Sequence, residues 1–352
     1  MGDSTMLFDL EPPSHGGDLE AWQRKMSQAE HWLDLSSACN REPWPIPEID
    51  PKLWYELPDQ ARLYQAAEDF FGQSPVAIGA GTQQIIEVLP PLLQSRGAGQ
   101  KVMVPQTGYQ EHGYCWQKWD YSLHYYGSLE ELLDQEWDVA VVIHPNNPTA
   151  EEMSPSTRVE LMARLTADAQ RYLVVDEAFL DAAPERSWLE GDLPERCFVL
   201  RSAGKFFGLA GARVGFAFAH EMWRAPLRSL IGPWPVATPA LELLVQALGD
   251  IEWQAEAKAS LAERNGYFQD QVVPKLNTLF DSQEVTHTLL FYTWRTSPEQ
   301  AKKAFNALHS VGIHVRLGDG WIRVSLPAGH EMQRLNQALV KLLQGHQLKE
   351  LA

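Results

Sequence analysis

Cysteine is scarce in this chain: three residues in 352, Cys39, Cys115 and Cys197, with no C-x-x-C pair. That spacing excludes a disulfide framework or a zinc site and fits a reducing compartment, so the cytoplasm is the expected location and no metal is expected. No run approaches the ~18 apolar residues that a membrane-spanning helix needs. The acidic opening, MGDSTMLFDLEPPSHGGD, has no basic segment followed by an apolar one, which argues against a secretory signal. Basic residues are also few: 29 Lys and Arg stand against 46 Asp and Glu, a net charge of −17. A nucleic-acid surface needs the opposite balance. A local anion pocket needs only a few arginines and remains open. Repeats, low-complexity tracts and a G-x-x-x-x-G-K-[ST] phosphate loop are absent too.

What is there is an ordinary globular composition, 45% apolar and 21% charged, in a chain long enough for a large domain and a smaller one. Residues 10–58 are Pro-rich and read as an extended arm. From residue 60 strands and helices alternate. Ala61–Phe71 reads as a helix stopped by Gly72, Val76–Ile78 as a strand, and Thr82–Leu89 as a helix ended by Pro90. Lys101–Val104 reads as a strand and Tyr109–Trp119 as a helix. The strongest strand signals are Asp138–Ile143, ending in HPNNPT, and Tyr172–Val175, ending in Asp176-Glu177; Ser156–Arg171 between them is helical. Cys197–Leu200 and Val214–Ala219 follow. This alternation predicts a mostly parallel α/β sheet buried on both faces. After about 235 the pattern turns to long helices, Pro239–Leu261 and Glu299–Val311, with strand-like Leu289–Trp294 and Trp321–Leu326. That reads as a smaller α+β domain.

Ligands of open α/β sheets bind beyond the carboxyl ends of the strands. Four polar groups fall there: Gly79–Gln83, Asn146-Asn147, Asp176 and Ser202–Lys205. Lys205 is the only lysine between Lys118 and Lys258. Its Gly, Ala and Phe neighbours solvate it poorly and favour a nucleophilic amine. Taken singly, each group has a plainer reading. Asn147 is a turn residue, Thr82 a helix cap, Tyr109 a packed aromatic, and His112 and His144 satisfied core histidines. Asp176 alone could be a cap, a Mg²⁺ ligand or a charge partner. VVDEA looks like an ATPase strand, but the phosphate loop is missing, and GAGTQQ lacks the third glycine of a dinucleotide fingerprint.

Their order is more specific than any one of them. Asn147-Pro148-Thr149, Asp176-Glu177-Ala178, Ser202-x-x-Lys205 and Arg213 eight residues on resemble the motif series of fold-type I pyridoxal-5′-phosphate (PLP) enzymes, the aminotransferase class I/II family. The resemblance implies the aspartate-aminotransferase-like fold, a large mostly parallel α/β sheet domain plus a smaller α+β domain. Residues 46–240 would be the cofactor domain, and 1–45 with 241–352 the small one. It implies PLP as cofactor and a homodimer. Lys205 would form the Schiff base and later move a proton. Asp176 would pair with the pyridinium nitrogen, Asn147 would bond the phenolic oxygen, and Tyr109 would stack on the ring. Gly81, Thr82 and Gln83 would offer helix N-terminal amides to the phosphate, with Ser202 and Arg213 completing the cup.

Further segments resemble the threonine-phosphate decarboxylases of cobalamin biosynthesis. They are SHGGDLEAWQ, WLDLSSACN, LWYELPDQARLYQAAEDFFG, GTQQII, the run Tyr109-Gln110-Glu111-His112 and VGIHVRLGDGWIRVSLP. The implied substrate is a small phosphorylated amino acid, L-threonine O-3-phosphate. Arg323 would bind its carboxylate, and Arg316 its phosphate with help from His15. Two positions depart from the aminotransferase pattern. Phe179 stands where a tyrosine usually bonds the phenolic oxygen, and Leu57 stands where a tyrosine usually reaches the neighbouring subunit. Both weigh toward decarboxylation over a histidinol-phosphate type of transamination. An ATPase and a catalytically inert PLP-fold binding module are the rival classes.

Overall fold

The computed structural model describes residues 10–25 and 31–350. These fall into two compact units. The larger comprises the described residues up to Pro13 with Trp44–Ile251; the smaller comprises Ser14–Pro43 with Glu252 onward. The sequence expectation had placed 241–251 in the small domain, but the helix Thr238–Gly249 lies in the larger unit. Part of the expected arm, 1–9 and 26–30, lies outside the described residues. The rest is less irregular than its prolines suggest: it holds a helix at Leu19–Lys25, a short strand at Leu33–Asp34 and a 3₁₀ turn at Pro51–Trp54.

The larger unit carries a seven-stranded sheet: β1 Ala77–Ala80, β2 Lys101–Pro105, β3 Ser122–Tyr126, β4 Val139–Ile143, β5 Tyr172–Asp176, β6 Cys197–Ser202 and β7 Val214–Ala219, in the order β1-β7-β6-β5-β4-β2-β3. β7 runs antiparallel to both neighbours, and the other pairs are parallel. The central strands VAVVI and YLVVD are buried along their whole length. Helices on both faces demand that, and it makes apolar runs rather than alternation the strand signal here. β3 escaped the sequence reading because it is an edge strand, mostly exposed, and so carries no apolar run.

Two helices matter for the site: α1, Gly81–Ser95, and α2, Glu111–Gln117. α1 runs on through Pro90-Pro91 rather than ending there. Leu89, Leu92 and Leu93 are all buried, and that packing offsets the backbone bonds the prolines remove. In the smaller unit, β8 Val285–His287, β9 Phe291–Arg295, β10 Arg316–Gly318 and β11 Trp321–Ser325 form an antiparallel sheet ordered β10-β11-β9-β8. Leu33–Asp34 pairs separately, in parallel, with Ile313–His314. The long helix expected over 239–261 is two helices, Thr238–Gly249 and Ile251–Gln271, divided at Asp250, whose backbone (φ −85°, ψ 76°) is not helical.

Candidate functional site

Sheet register assembles the predicted cluster. Ser202, the last residue of β6, pairs with Gly215, and Gly215 pairs in turn with Gly79 of β1. Arg213, one residue before β7, therefore stands at the same end of the sheet as the start of α1. Two glycines make the approach possible. A Cβ on Gly215 would fall 2.2 Å from the Thr82 nitrogen, and one on Gly81 would fall 2.6 Å from Nη2 of Arg213. Gly81 also has φ +72°, where L side chains are strained. Arg213 itself is left-handed (φ 52°), and its carbonyl accepts from the Gly81 N–H at 2.9 Å. The residue before α1, Ala80, supplies no side-chain cap. Glycine thus lets a helix N-terminus and a guanidinium come together, an arrangement that suits a phosphate.

Asp176 closes β5 and is 3% exposed. Its carboxylate accepts from His112 Nε2 at 2.9 Å and from the Ala178 N–H at 3.0 Å. A carboxylate can only accept, so the imidazole carries its proton on Nε2. Tyr109 lies edge-on to His112 with ring centroids 6.2 Å apart. Its hydroxyl donates to Gln83 Oε1 at 3.0 Å, and Gln83 Nε2 donates to Glu111 at 2.7 Å. Burial, then the charges of Glu111 and Asp176, hold the Tyr109 hydroxyl protonated far above its ordinary range, with Arg213 opposing. Lys205 is half-buried, its Nζ 5.2 Å from the centre of the Phe179 ring. Asn147 is half-buried in the loop after β4, while its neighbour Asn146 donates to the Thr107 carbonyl at 2.8 Å.

Two features escaped the sequence reading. One is the partner of His112: that residue is the packed, satisfied histidine expected, 1% exposed, but what satisfies it is Asp176, and its place three residues after Tyr109, on the first turn of α2, was the available signal. The second is on the opposite face. Register pairs Asp176 with Leu200, so strand alternation puts Asp176 and Ser202 on one face and Glu177 and Arg201 on the other. There Arg201, 1% exposed, bonds Glu177 at 2.9 Å and Asp181 at 2.5 Å. Ser187 and the Trp188 N–H complete Glu177 at 2.6 and 2.7 Å. An arginine in the otherwise apolar CFVLRS was the clue. His144 has a structural role, accepting from the Met153 N–H at 3.0 Å.

The remaining candidates lie in the smaller unit. Arg316 and Arg323 face each other across β10 and β11 as direct partners. Burial, then the neighbouring Arg316 charge, brings the Arg323 guanidinium down to about 10. Arg323 donates to the Ser36 carbonyl, and Arg316 donates to the Ser14 carbonyl at 2.6 Å. His15, next to Ser14, is exposed. Like charges directly opposite each other on a sheet are destabilising, and Asp18 near Arg316 and Asp34 near Arg323 offset part of that repulsion.

The profile of the family described as "Aminotransferase class I and II" matches residues 55–342. A threonine-phosphate decarboxylase of Pseudomonas aeruginosa is 36% identical over 244 residues, covering 68% of this chain and 72% of that protein. Among solved structures, histidinol-phosphate aminotransferase from Sinorhizobium meliloti in complex with pyridoxal-5′-phosphate aligns with a TM-score of 0.76 at 20% identity, covering 98% of each chain. Aspartate aminotransferase from Thermus thermophilus aligns with a TM-score of 0.70 at 17% identity, covering 94% of this chain and 97% of that one. The two structural likenesses establish the aspartate-aminotransferase-like fold.

Proposed function

Because the chain belongs to the aminotransferase class I and II family, we propose that it is a PLP-dependent decarboxylase of L-threonine O-3-phosphate, yielding (R)-1-amino-2-propanol O-2-phosphate for cobalamin biosynthesis. The larger unit's residues fit the cofactor. The helix N-terminus that Gly81 and Gly215 let pack against Arg213 suits its phosphate, and Asp176, bonded to His112, suits the pyridine nitrogen. When bound, PLP supplies an electron sink for the bond broken at the substrate Cα. Lys205 would hold the cofactor and could return a proton to the substrate Cα. Asp176, oriented by its bond from His112, would pair with the ring nitrogen. Gly81, Thr82, Gln83, Ser202 and Arg213 would bind the phosphate, Asn147 would bond the phenolic oxygen, and Tyr109 would cover the ring face. Phe179 adds no hydroxyl beside Lys205.

The observation that carries the choice of substrate is the cross-strand pair Arg316 and Arg323. Two opposed guanidiniums match a substrate anionic at both ends: Arg323 takes the carboxylate, and Arg316, helped by His15, the phosphate. Fixing both anionic ends would orient the substrate carboxylate for loss as CO₂. The same reading makes the protein a cytoplasmic homodimer. The experiment is product analysis with L-threonine O-3-phosphate. Release of CO₂ with the amino-alcohol phosphate supports the reading. A keto acid with pyridoxamine phosphate and no CO₂ would replace it with an aminotransferase of the histidinol-phosphate type.

A further inference from the structure

The smaller unit contains a hydrogen-bonded chain, one half-exposed carboxylate and two buried histidines, that neither the cofactor nor the substrate groups use. Asp18 starts the helix Leu19–Lys25 and accepts twice: from Trp22 Nε1 at 2.9 Å on Oδ2, and from His314 Nε2 at 3.1 Å on Oδ1. His314 Nδ1 lies 2.9 Å from His309 Nε2. Both histidines are buried, at 1% and 2% exposure. With both rings neutral, one proton arrangement satisfies every bond. The carboxylate can only accept, so His314 is protonated on Nε2; its Nδ1 then accepts, so His309 donates from Nε2. His309 Nδ1 is left as a bare acceptor with no hydrogen-bond partner among the described residues. It sits among the rings of Trp22, Trp32 and Phe305, with centroids at 5.1, 5.2 and 4.0 Å. Burial, then His314, pushes the His309 imidazole down to about 4, so it stays neutral near pH 7.

The chain ends on the segment that meets the arginine pair. Ser14 accepts from Arg316 through its carbonyl at 2.6 Å and its hydroxyl at 3.2 Å. The Gly17 N–H donates to Ser36 Oγ at 2.9 Å. Gly16 passes so close that a Cβ would fall 2.6 Å from the Ser36 carbonyl oxygen and 3.5 Å from Arg323 Nη2. We infer that Asp18, His314 and His309 are positioning residues that dock the Ser14–Gly17 segment on Arg316, and that affinity for the phosphate end of the substrate depends on this docking. The inference rests on the phosphorylated-substrate reading above. It adds residues remote from the anion and a fixed proton order that makes the dock all-or-none. An asparagine at 18 has one acceptor for two donors. Turning His314 over to receive its NH₂ would point a His309 proton into the aromatic cage, where nothing accepts it.

The test compares full-length holoenzyme with Asp18→Asn and the milder Trp22→Phe, which keeps the His314 bond. Three readouts are taken: amide hydrogen exchange over residues 14–22, the Kd of inorganic phosphate, and KM against kcat for L-threonine O-3-phosphate. For Asp18→Asn, exchange is expected to quicken and both Kd and KM to rise about ten-fold, with kcat within about two-fold. Trp22→Phe is expected to move the same readouts the same way by about three-fold. A folded Asp18→Asn with unchanged exchange and phosphate affinity overturns the inference. If Asp18→Asn does not fold, unchanged readouts in Trp22→Phe overturn it. Should the unaltered protein fail to turn over threonine phosphate, the functional reading falls, while exchange and phosphate binding still decide the docking.

Discussion

The two units place their functional groups by different physical means. In the larger unit, Asp176, Ser202 and Arg213 sit at or beside strand ends, where ladder hydrogen bonds and close glycine contacts set position to within the width of a Cβ. In the smaller unit, His15 lies on a segment tied down through side chains: Asp18 to His314, Gly17 to Ser36, Ser14 to Arg316. Backbone-fixed positions tolerate loss of a neighbouring side chain. Side-chain-fixed positions fail when one partner is removed, because each buried donor left behind costs about 1–3 kcal/mol.

Three substitutions sharpen this contrast. Lys205→Ala should cut CO₂ release by at least about 10³-fold, since it removes both the covalent tether and the proton carrier. The cup of Gly81, Ser202 and Arg213 is backbone-set and should survive. Thermal melting should therefore barely change and PLP should still bind, which an absorbance titration would check. Loss of the fold instead would show that Lys205 is part of the scaffold. Next in size is Arg201→Leu. It leaves Glu177 and Asp181 buried without their shared cation, and urea unfolding should report a loss of about 3–5 kcal/mol, with the effect in the larger unit. A change under about 1 kcal/mol would mean the face opposite Asp176 is not held by that network.

The smallest effect concerns acid. Glu331 accepts from Arg41 Nε at 3.0 Å and from the Ala328 N–H at 2.9 Å. Burial alone would raise its carboxyl, but the bonds from Arg41 and Ala328 outweigh it and hold it below the ordinary carboxylate value. A lowered folded value means the stabilisation is present above the unfolded pKa and fades as pH falls through the folded one. The smaller unit should thus lose no more than about 1 kcal/mol as pH drops below roughly 4.3, and Glu331→Gln should remove that dependence. An unchanged acid profile in Glu331→Gln would assign the loss to other carboxylates.

How much was legible follows the same division. DVAVVI, YLVV and CFVL announced the central strands because burial on both faces leaves little but apolar residues. The edge strand Ser122–Tyr126 carried no such run. The series Asn147, Asp176, Ser202, Lys205 and Arg213 was readable because each marks a strand end or the loop after it, and strand order along the chain is a local property. That Asp176 satisfies His112 was not legible, because the two lie 64 residues apart.

The sequence by itself determined the α/β alternation, the family motif series and the residue types available for cofactor and substrate, since hydrophobic periodicity and motif spacing are properties of neighbours along the chain. Only the tertiary structure decided that Arg316 faces Arg323, that His112 meets Asp176, and that Arg201 turns away from Ser202 to bury itself with Glu177 and Asp181. Those outcomes depend on strand register and helix packing. A shift of one residue in strand register would send the same side chains to the opposite face, and one in a helix would turn them about 100° away.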